Sequence, residues 1–441
     1  MRNRGDGSFE RIETVQFQAG LVYTYVVDLT GDGLEDVLII DEHGASAWEF
    51  GQNGINKRGD ILNIKDKSLL HAVATFGDFA GTGYNDIILG RSFKLIEGLP
   101  PNTPPPVEDP ADDLHLRFDG STYNDISAAT GISKPAVNTL SLMSLDMNND
   151  GRLDLIVGTQ HDEPDRYLAL TEDGTFADVG EELGITSDAL PSRVPTSAMG
   201  FDAADIDGDG DFDLFVTDDN PTHGSRMYTQ REDGTFTYST DTAGLQDTRN
   251  LVSWGNALAD FNHDGHIDLF IANGRRFLPE QVTSPDQENA LFLGNGDGTF
   301  TRALSTPGSG LEDVRQSFGS IFGDIDGDGD LDALVLNANS RPTLLRNDMG
   351  GGGHWLSVHL KHPSLMPVVG AVVTVTTSSQ VQRRWLHGTP SFGGSSQPEL
   401  HFGLADASEV LAVEVQWPGG KTTTHGPFSA DQIIVLQRNN P

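Results

Sequence analysis

The run DIDGDGDFD, Asp205 to Asp213, places five carboxylates and two glycines in nine residues, and DIDGDGDLD repeats the pattern at Asp324 to Asp332. Two carboxylates about 4 Å apart repel by roughly 4 kcal/mol at an effective dielectric near 20, so a folded loop that gathers several needs a counter-charge. Side chains at relative positions 1, 3, 5 and 9, with glycine at 6 for the sharp turn and a backbone carbonyl near 7, can surround one cation with oxygen. Hard, flexible coordination by about six to eight oxygens is calcium chemistry, whereas magnesium keeps fewer protein ligands and more water.

Aligned on its first Asp, the motif occurs six times, at Asp28, Asp78, Asp146, Asp205, Asp260 and Asp324, with steps of 50, 68, 59, 55 and 64 residues. Five copies carry a full donor set: Asp28, Thr30, Asp32 and Asp36; Asp146, Asn148, Asp150 and Asp154; Asp205, Asp207, Asp209 and Asp213; Asp260, Asn262, Asp264 and Asp268; Asp324, Asp326, Asp328 and Asp332. The second copy has Ala80 and Thr82 at positions 3 and 5, which leaves Asp78 and Asp86 and predicts a weak or empty site. The expectation is about five calcium ions. His263 and His266, inside the fifth loop, are expected to point to solvent.

The elements that must hold these loops are legible in the flanks. Each loop follows an apolar stretch such as TLSLMSL or SFGSIFG and precedes another such as LIVGT or LFIANG, which reads as two antiparallel strands joined by the loop. DGTF or DGSF recurs at Asp6, Asp173, Asp233 and Asp297 as a tight turn opening an outer strand. A repeat of several short strands at this period predicts an all-β, calcium-binding β-propeller. Six blades fit the arithmetic; seven would require a blade without a motif or one from the C-terminal segment. The last unit ends at TLLRND and the chain starts at RNRGDGSF, so the N-terminal strand is expected to close the ring. The domain division follows: a propeller over 1–349, a Gly linker at 350–353 and a small β domain over 354–441. A Pro-rich insertion over 98–114 reads as a stiff surface loop between the second and third units.

The whole chain agrees with this reading. At 441 residues it exceeds the size of one core. Its net charge of −37 is partly a ligand set awaiting metal, and the remaining acidity argues against nucleic acid or an anionic membrane as partner. With no cysteine there is no disulfide, thiolate site or Cys nucleophile. No apolar run is long enough for membrane insertion by a helix. The start lacks the apolar region of a leader, so the location is cytoplasmic if Met1 is native and extracytoplasmic if a leader was removed.

The loops, DGTF turns and strand flanks resemble FG-GAP (VCBS-type) repeats, the calcium-binding blades of integrin α-chain propellers. After the Gly linker, VVGAVVTVTT, QRRWLHG, SFGGSSQPELHFGLA and VEVQWPGGK resemble the ASPIC/UnbV domain. Together they look like the cartilage acidic protein family and its bacterial relatives. The resemblance implies a propeller followed by a small β domain, with calcium as its ion. It also leaves an enzyme reading open, because some relatives sit among natural-product biosynthesis genes.

In each hairpin the residues before the first strand and after the second lie opposite the Asp loop, and by resemblance to integrins that face binds ligand. It collects Arg193, Arg226, Arg249, Arg275, Arg276, Arg315 and Arg341, an arginine-rich set for so acidic a chain. One reading is a mouth that binds a small anionic or polyhydroxylated ligand, a glycan or a protein loop through forked guanidinium contacts. The other is that these arginines satisfy loop carbonyls and neighbouring acids. The alternative function is a calcium-dependent, cofactor-free lyase, cyclase or isomerase acting on a small metabolite, with His161 and Asp162, or His223 and Asp219, as acid and base. A deep pocket at the axis with a His–carboxylate pair would favour the enzyme. In the C-terminal domain Arg383, Arg384, Trp385, Trp417 and Lys421 form either a contact surface or strand packing.

Overall fold

Runs of β-branched and aromatic residues separated by Gly and Asp turns favour short strands, and in the computed structural model strands dominate, with two four-residue helices and one 3-10 turn among the described residues. The structure describes residues 2–3, 9–10, 23–64, 72–92, 112–132, 136–160, 163–185, 196–275, 286–361, 368–392 and 396–438, apart from 33, 42–43, 52–53, 60, 223, 307, 339, 350–351, 389–390 and 397–398.

Six sheets follow one another, each carrying one Asp loop between its first two full strands. Their innermost strands are Tyr23–Val27, Ala72–Gly77, Thr139–Leu145, Ala198–Ala204, Ser253–Ala259 and Ser317–Gly323. In every sheet the last residue of this strand pairs with the ninth-position Asp of the loop, as in Ala259↔Asp268 and Gly323↔Asp332. One register therefore positions all six loops on the same end. The DGTF turns at Asp173, Asp233 and Asp297 open the outermost strands Phe176–Asp178, Phe236–Tyr238 and Phe300–Arg302. The architecture is all-β and β-propeller-like.

Two details differ from the sequence reading. The last sheet has three strands, ending at Thr343–Leu345, while Arg2–Asn3 and Phe9–Glu10 pair with each other; among the described residues the N-terminal strand does not complete the ring. Local pairing closes a short loop, at far lower entropic cost than joining the two ends of a long chain. The Pro-rich insertion falls within the second sheet, because Asp86–Arg91 before it and Leu114–Phe118 after it are paired neighbours.

The C-terminal domain is a sandwich. One sheet has the order Leu400–Ala405, His354–Lys361, Gln432–Gln437, and the other Val381–Trp385, Val372–Thr376, Ala412–Gln416, Thr422–His425. Alternating Val, Leu, Phe402 and Trp417 fill the space between them. Its edge lies on the Asp-loop end of the six sheets, where Val372 and Trp385 join the core of the third and fourth sheets.

From that edge the segment after Trp385 enters the axis. Gly388 exchanges backbone hydrogen bonds with Ser144, Ser391 N–H donates to the Phe201 carbonyl at 3.0 Å, and Phe392 packs on Trp254 and Tyr23 at ring separations of 5.1 and 6.0 Å. Phe392 also packs against the buried cluster of Met199, Val252 and Trp254. Ser396 Oγ then accepts from Phe322 N–H, nearer the Asp-loop end. The segment is thus a plug whose aromatic tip faces the far mouth. A Cβ on Gly388 would lie 2.3 Å from Ser144 Oγ and 2.6 Å from the Phe76 carbonyl, so glycine permits this approach.

Candidate metal and ligand sites

The first-position Asp of each loop is tied down by backbone N–H groups of its own loop. Asp205 accepts from Gly208 and Gly210, Asp324 from Gly327 and Gly329, and Asp260 from Gly265. The ninth-position Asp is buried between strands: Asp213 accepts from Ile206 and Gln230, Asp154 from Met147 and Leu170, Asp268 from Phe261 and Gly294. Burial pushes these carboxyls up, to about 8 for Asp213 and about 7 for Asp154 and Asp268, against the lowering effect of those N–H donors. Carboxylates of Asp205, Asp207 and Asp209, and of Asp324, Asp326 and Asp332, come within 4.8 Å of one another. The donors are oxygen only, which suits a hard cation.

The loops differ in what else offsets their charge. In the second, Asp86 bonds His115 Nε2 at 2.9 Å and the Arg117 guanidinium at 3.2 Å, so protein groups stand where an ion would act. Thr82 and Gly83 close that loop on Asp78. In the first, Arg58 reaches Asp32 at 3.1 Å and Asp36 at 3.6 Å, and in the third Arg152 pairs with Asp150. Among the described residues the fourth loop has no such ion pair at Asp205, Asp207, Asp209 or Asp213, and the sixth has exposed Arg346, 3.9 Å from Asp326, with His263 Nε2 3.5 Å from Asp330.

The C-terminal domain covers this end. His401 Nε2 donates to the Gly329 carbonyl at 2.9 Å, Arg383 to Gly210, Gln380 to Asp264, and Gly419 N–H to Gly151. His263 does not point to solvent: it is 2% exposed, with its ring 5.0 Å from that of His401. Docking of the second domain buries a side chain that the loop alone would leave in water. Trp385 packs edge-on against Phe212 across the interface, and Trp417 is buried within its own sandwich, so contact and core roles are divided between the two. Lys421 is exposed, and Arg384 is buried over the Phe402 ring.

The expected arginines part company at the opposite face. Arg226 is fully buried, 2.7 Å from Asp165 and 3.6 Å from Asp218, and holds two sheets together. Arg249 pairs with Asp241, Arg315 with Asp313 at 2.6 Å, and Arg275 donates to the Asn250 carbonyl at 2.9 Å, while Arg341 is exposed. Arg193, Arg276, His161, Asp162 and His223 lie outside the described residues; Asp219, at the end of its strand, is half-buried.

A His–carboxylate pair does occur at the axis, between residues that the sequence reading did not couple. His387 Nε2 lies 3.0 Å from Asp202 Oδ1, beside a cavity of about 180 Å³ between the inner strands and the plug. The only signal for it was the Gly, Ser and Pro content after Trp385, which marks a loop without saying where the loop goes.

Comparison with known proteins places the two regions. The FG-GAP-like repeat model matches residues 146–216, 205–271 and 278–335, and the ASPIC and UnbV model matches 363–441. Cartilage acidic protein 1 of Homo sapiens is 24% identical over 386 residues, covering 73% of this chain and 56% of that protein. The Xenopus tropicalis protein of the same name is 26% identical over 270 residues, covering 60% and 39%. The chain thus spans little more than half the length of the human relative. Among solved structures, a lectin of Agrocybe aegerita, described by its recognition of non-reducing terminal N-acetylglucosamine, shares 18% identity over 75% of this chain and 81% of its own, with a TM-score of 0.44. The chain therefore carries FG-GAP-like repeats followed by an ASPIC and UnbV domain, and it is similar to cartilage acidic protein 1.

Proposed function

We propose that the chain is a six-bladed propeller, stapled by calcium at about five Asp loops, that binds an anionic or polyhydroxylated ligand or a protein loop at the opposite face. The observation that carries this reading is the covering of the Asp-loop end. Gly151, Gly210, Asp264 and Gly329, in four different loops, each bond the C-terminal domain, which among the described residues leaves the far mouth as the end available to a large partner. Arg249, Arg275, Arg315 and Arg341 lie on that side, and planar guanidinium groups suit carboxylate or sulfate oxygens. Arg226 belongs to the scaffold beneath them. Calcium that binds only the folded chain adds stability by mass action.

Elemental analysis should find about five calcium ions per chain, and none would sink the staple. Calorimetry with uronate oligosaccharides should show binding that weakens more than tenfold when Arg249, Arg275, Arg315 and Arg341 are all changed to Glu. Undiminished binding by that variant would move the ligand elsewhere.

A further inference from the structure

The cavity at the axis has two kinds of wall. Val27, Phe76, Leu258, Phe322 and Leu386 make one part apolar, and the other part presents Asp202, Asn256, Arg384, His387, Glu399 and His401. Three of these polar side chains have unspent hydrogen-bonding capacity. Asn256 is 1% exposed, yet neither its amide oxygen nor its amide nitrogen has a partner among the described residues. The Nδ1 atoms of His387 and His401 are likewise buried and unpartnered.

The unpartnered nitrogens have a defined character. His401 Nε2 faces a carbonyl, which can only accept, so it carries the proton; burial, with His263 adjacent, lowers this imidazole to about 3 and keeps it neutral. Its Nδ1 is therefore an acceptor. His387 Nε2 faces the Asp202 carboxylate, whose oxygens also accept from Leu258 and Ala203 N–H, so in the neutral ring Nδ1 is again an acceptor. Buried polar atoms left unpaired are costly, and several around one space imply an occupant that pairs with them.

We propose that this chamber binds a small, mostly apolar organic molecule bearing one or two hydroxyl groups, a phenol being the simplest. The hydroxyls donate to His387 Nδ1 and His401 Nδ1, Asn256 supplies one donor and one acceptor, and the ring lies against Phe76, Leu258 and Phe322. An apolar cavity of about 150 Å³ admits benzene, so a single hydroxylated ring matches the 180 Å³ found here. Val26 of the first sheet lines the chamber and is 41% exposed. This site lies on the far side of the plug from the arginine-bearing mouth and stands apart from the ligand face.

The test is saturation-transfer NMR and calorimetry on the full calcium-loaded chain with phenol and catechol, using benzene and myo-inositol as comparisons. Catechol should bind at least tenfold more tightly than either comparison. His387→Phe should weaken it about tenfold or more, Asn256→Asp should weaken it less, and Arg341→Ala on the ligand face should have no effect. The proposal falls if catechol and benzene bind alike, if His387→Phe leaves catechol affinity unchanged, or if only ordered water fills the chamber in a crystal soaked with catechol. Because the wild-type comparison among ligands carries the first outcome, a variant that fails to fold does not decide the matter.

Discussion

At the scale of residues, the six loops share a backbone and differ in what neutralises them. Asp86 is 0% exposed and shares His115 and Arg117, so Asp86→Asn leaves buried His115 without its carboxylate; roughly 1–3 kcal/mol should be lost with or without calcium. Asp207→Asn, in a loop with no ion pair at its ligand positions, should cost stability in calcium and nearly none in metal-stripped protein. Denaturant melts of both variants in the two states check this, and an equal calcium dependence would contradict the division. The buried ninth-position carboxyls give a second prediction. Asp154, Asp213 and Asp268 have folded pKa values raised to about 7, 8 and 7, above an ordinary value near 4, so the metal-free fold holds their protons more tightly than the unfolded chain does. That contribution is fully present at acid pH and is lost as pH rises through about 7–8. Metal-stripped protein should melt lower at pH 8 than at pH 5. Calcium competes with those protons, so saturating calcium should reverse the order, and a common slope in both states would refute the linkage.

At the scale of elements, what could be read from sequence was what repeats within a short window. Asp205 and Asp213 are joined by one hairpin, so spacing alone places both carboxylates at one site, and the DGTF turn at Asp233 announces the strand Phe236–Tyr238 three residues later. The axial plug is invisible by the same criterion. His387 meets Asp202, Gly388 meets Ser144 and Phe392 meets Trp254 across separate domains, and no periodicity links residues so distant in the chain. The arginines show the converse failure: the sequence pattern assigns Arg226 and Arg315 both to the far face, yet one is fully buried between two acids and the other is 41% exposed at its side chain. The plug itself makes a prediction. A Cβ added at Gly388 would stand within 2.8 Å of Ser144 Oγ, the Phe76 carbonyl and Thr75 Oγ1, so Gly388→Ala must push the segment off the inner strands. A cost of about 1–3 kcal/mol is expected, as for other overpacked sites, with raised hydrogen exchange at Ser144 and Ser391; an unchanged melt would mean the segment docks loosely.

At the scale of the whole molecule, the Asp loops and the interdomain contact occupy the same surface, so they cannot be independent. His401, Gln380 and Arg383 bond the carbonyls of Gly329, Asp264 and Gly210, which belong to the sixth, fifth and fourth Asp loops, and a Cβ on Gly403 would lie only 2.0 Å from Asp260 Oδ2. Removing calcium leaves those loops with several carboxylates in mutual repulsion, and their backbone must shift or take up protons. The carbonyls that receive the C-terminal domain shift with them. Chelation should therefore do more than lower the melting temperature: it should loosen the sandwich from the sheets and withdraw the plug from the axis. Limited proteolysis at neutral pH should cut the Gly-rich connection near Gly352 in metal-stripped protein and spare it in calcium, with Trp385 fluorescence shifting to the red as its contact with Phe212 opens. If the domains stay docked while the melting temperature falls, the ions hold each sheet separately and the interface depends on the plug alone.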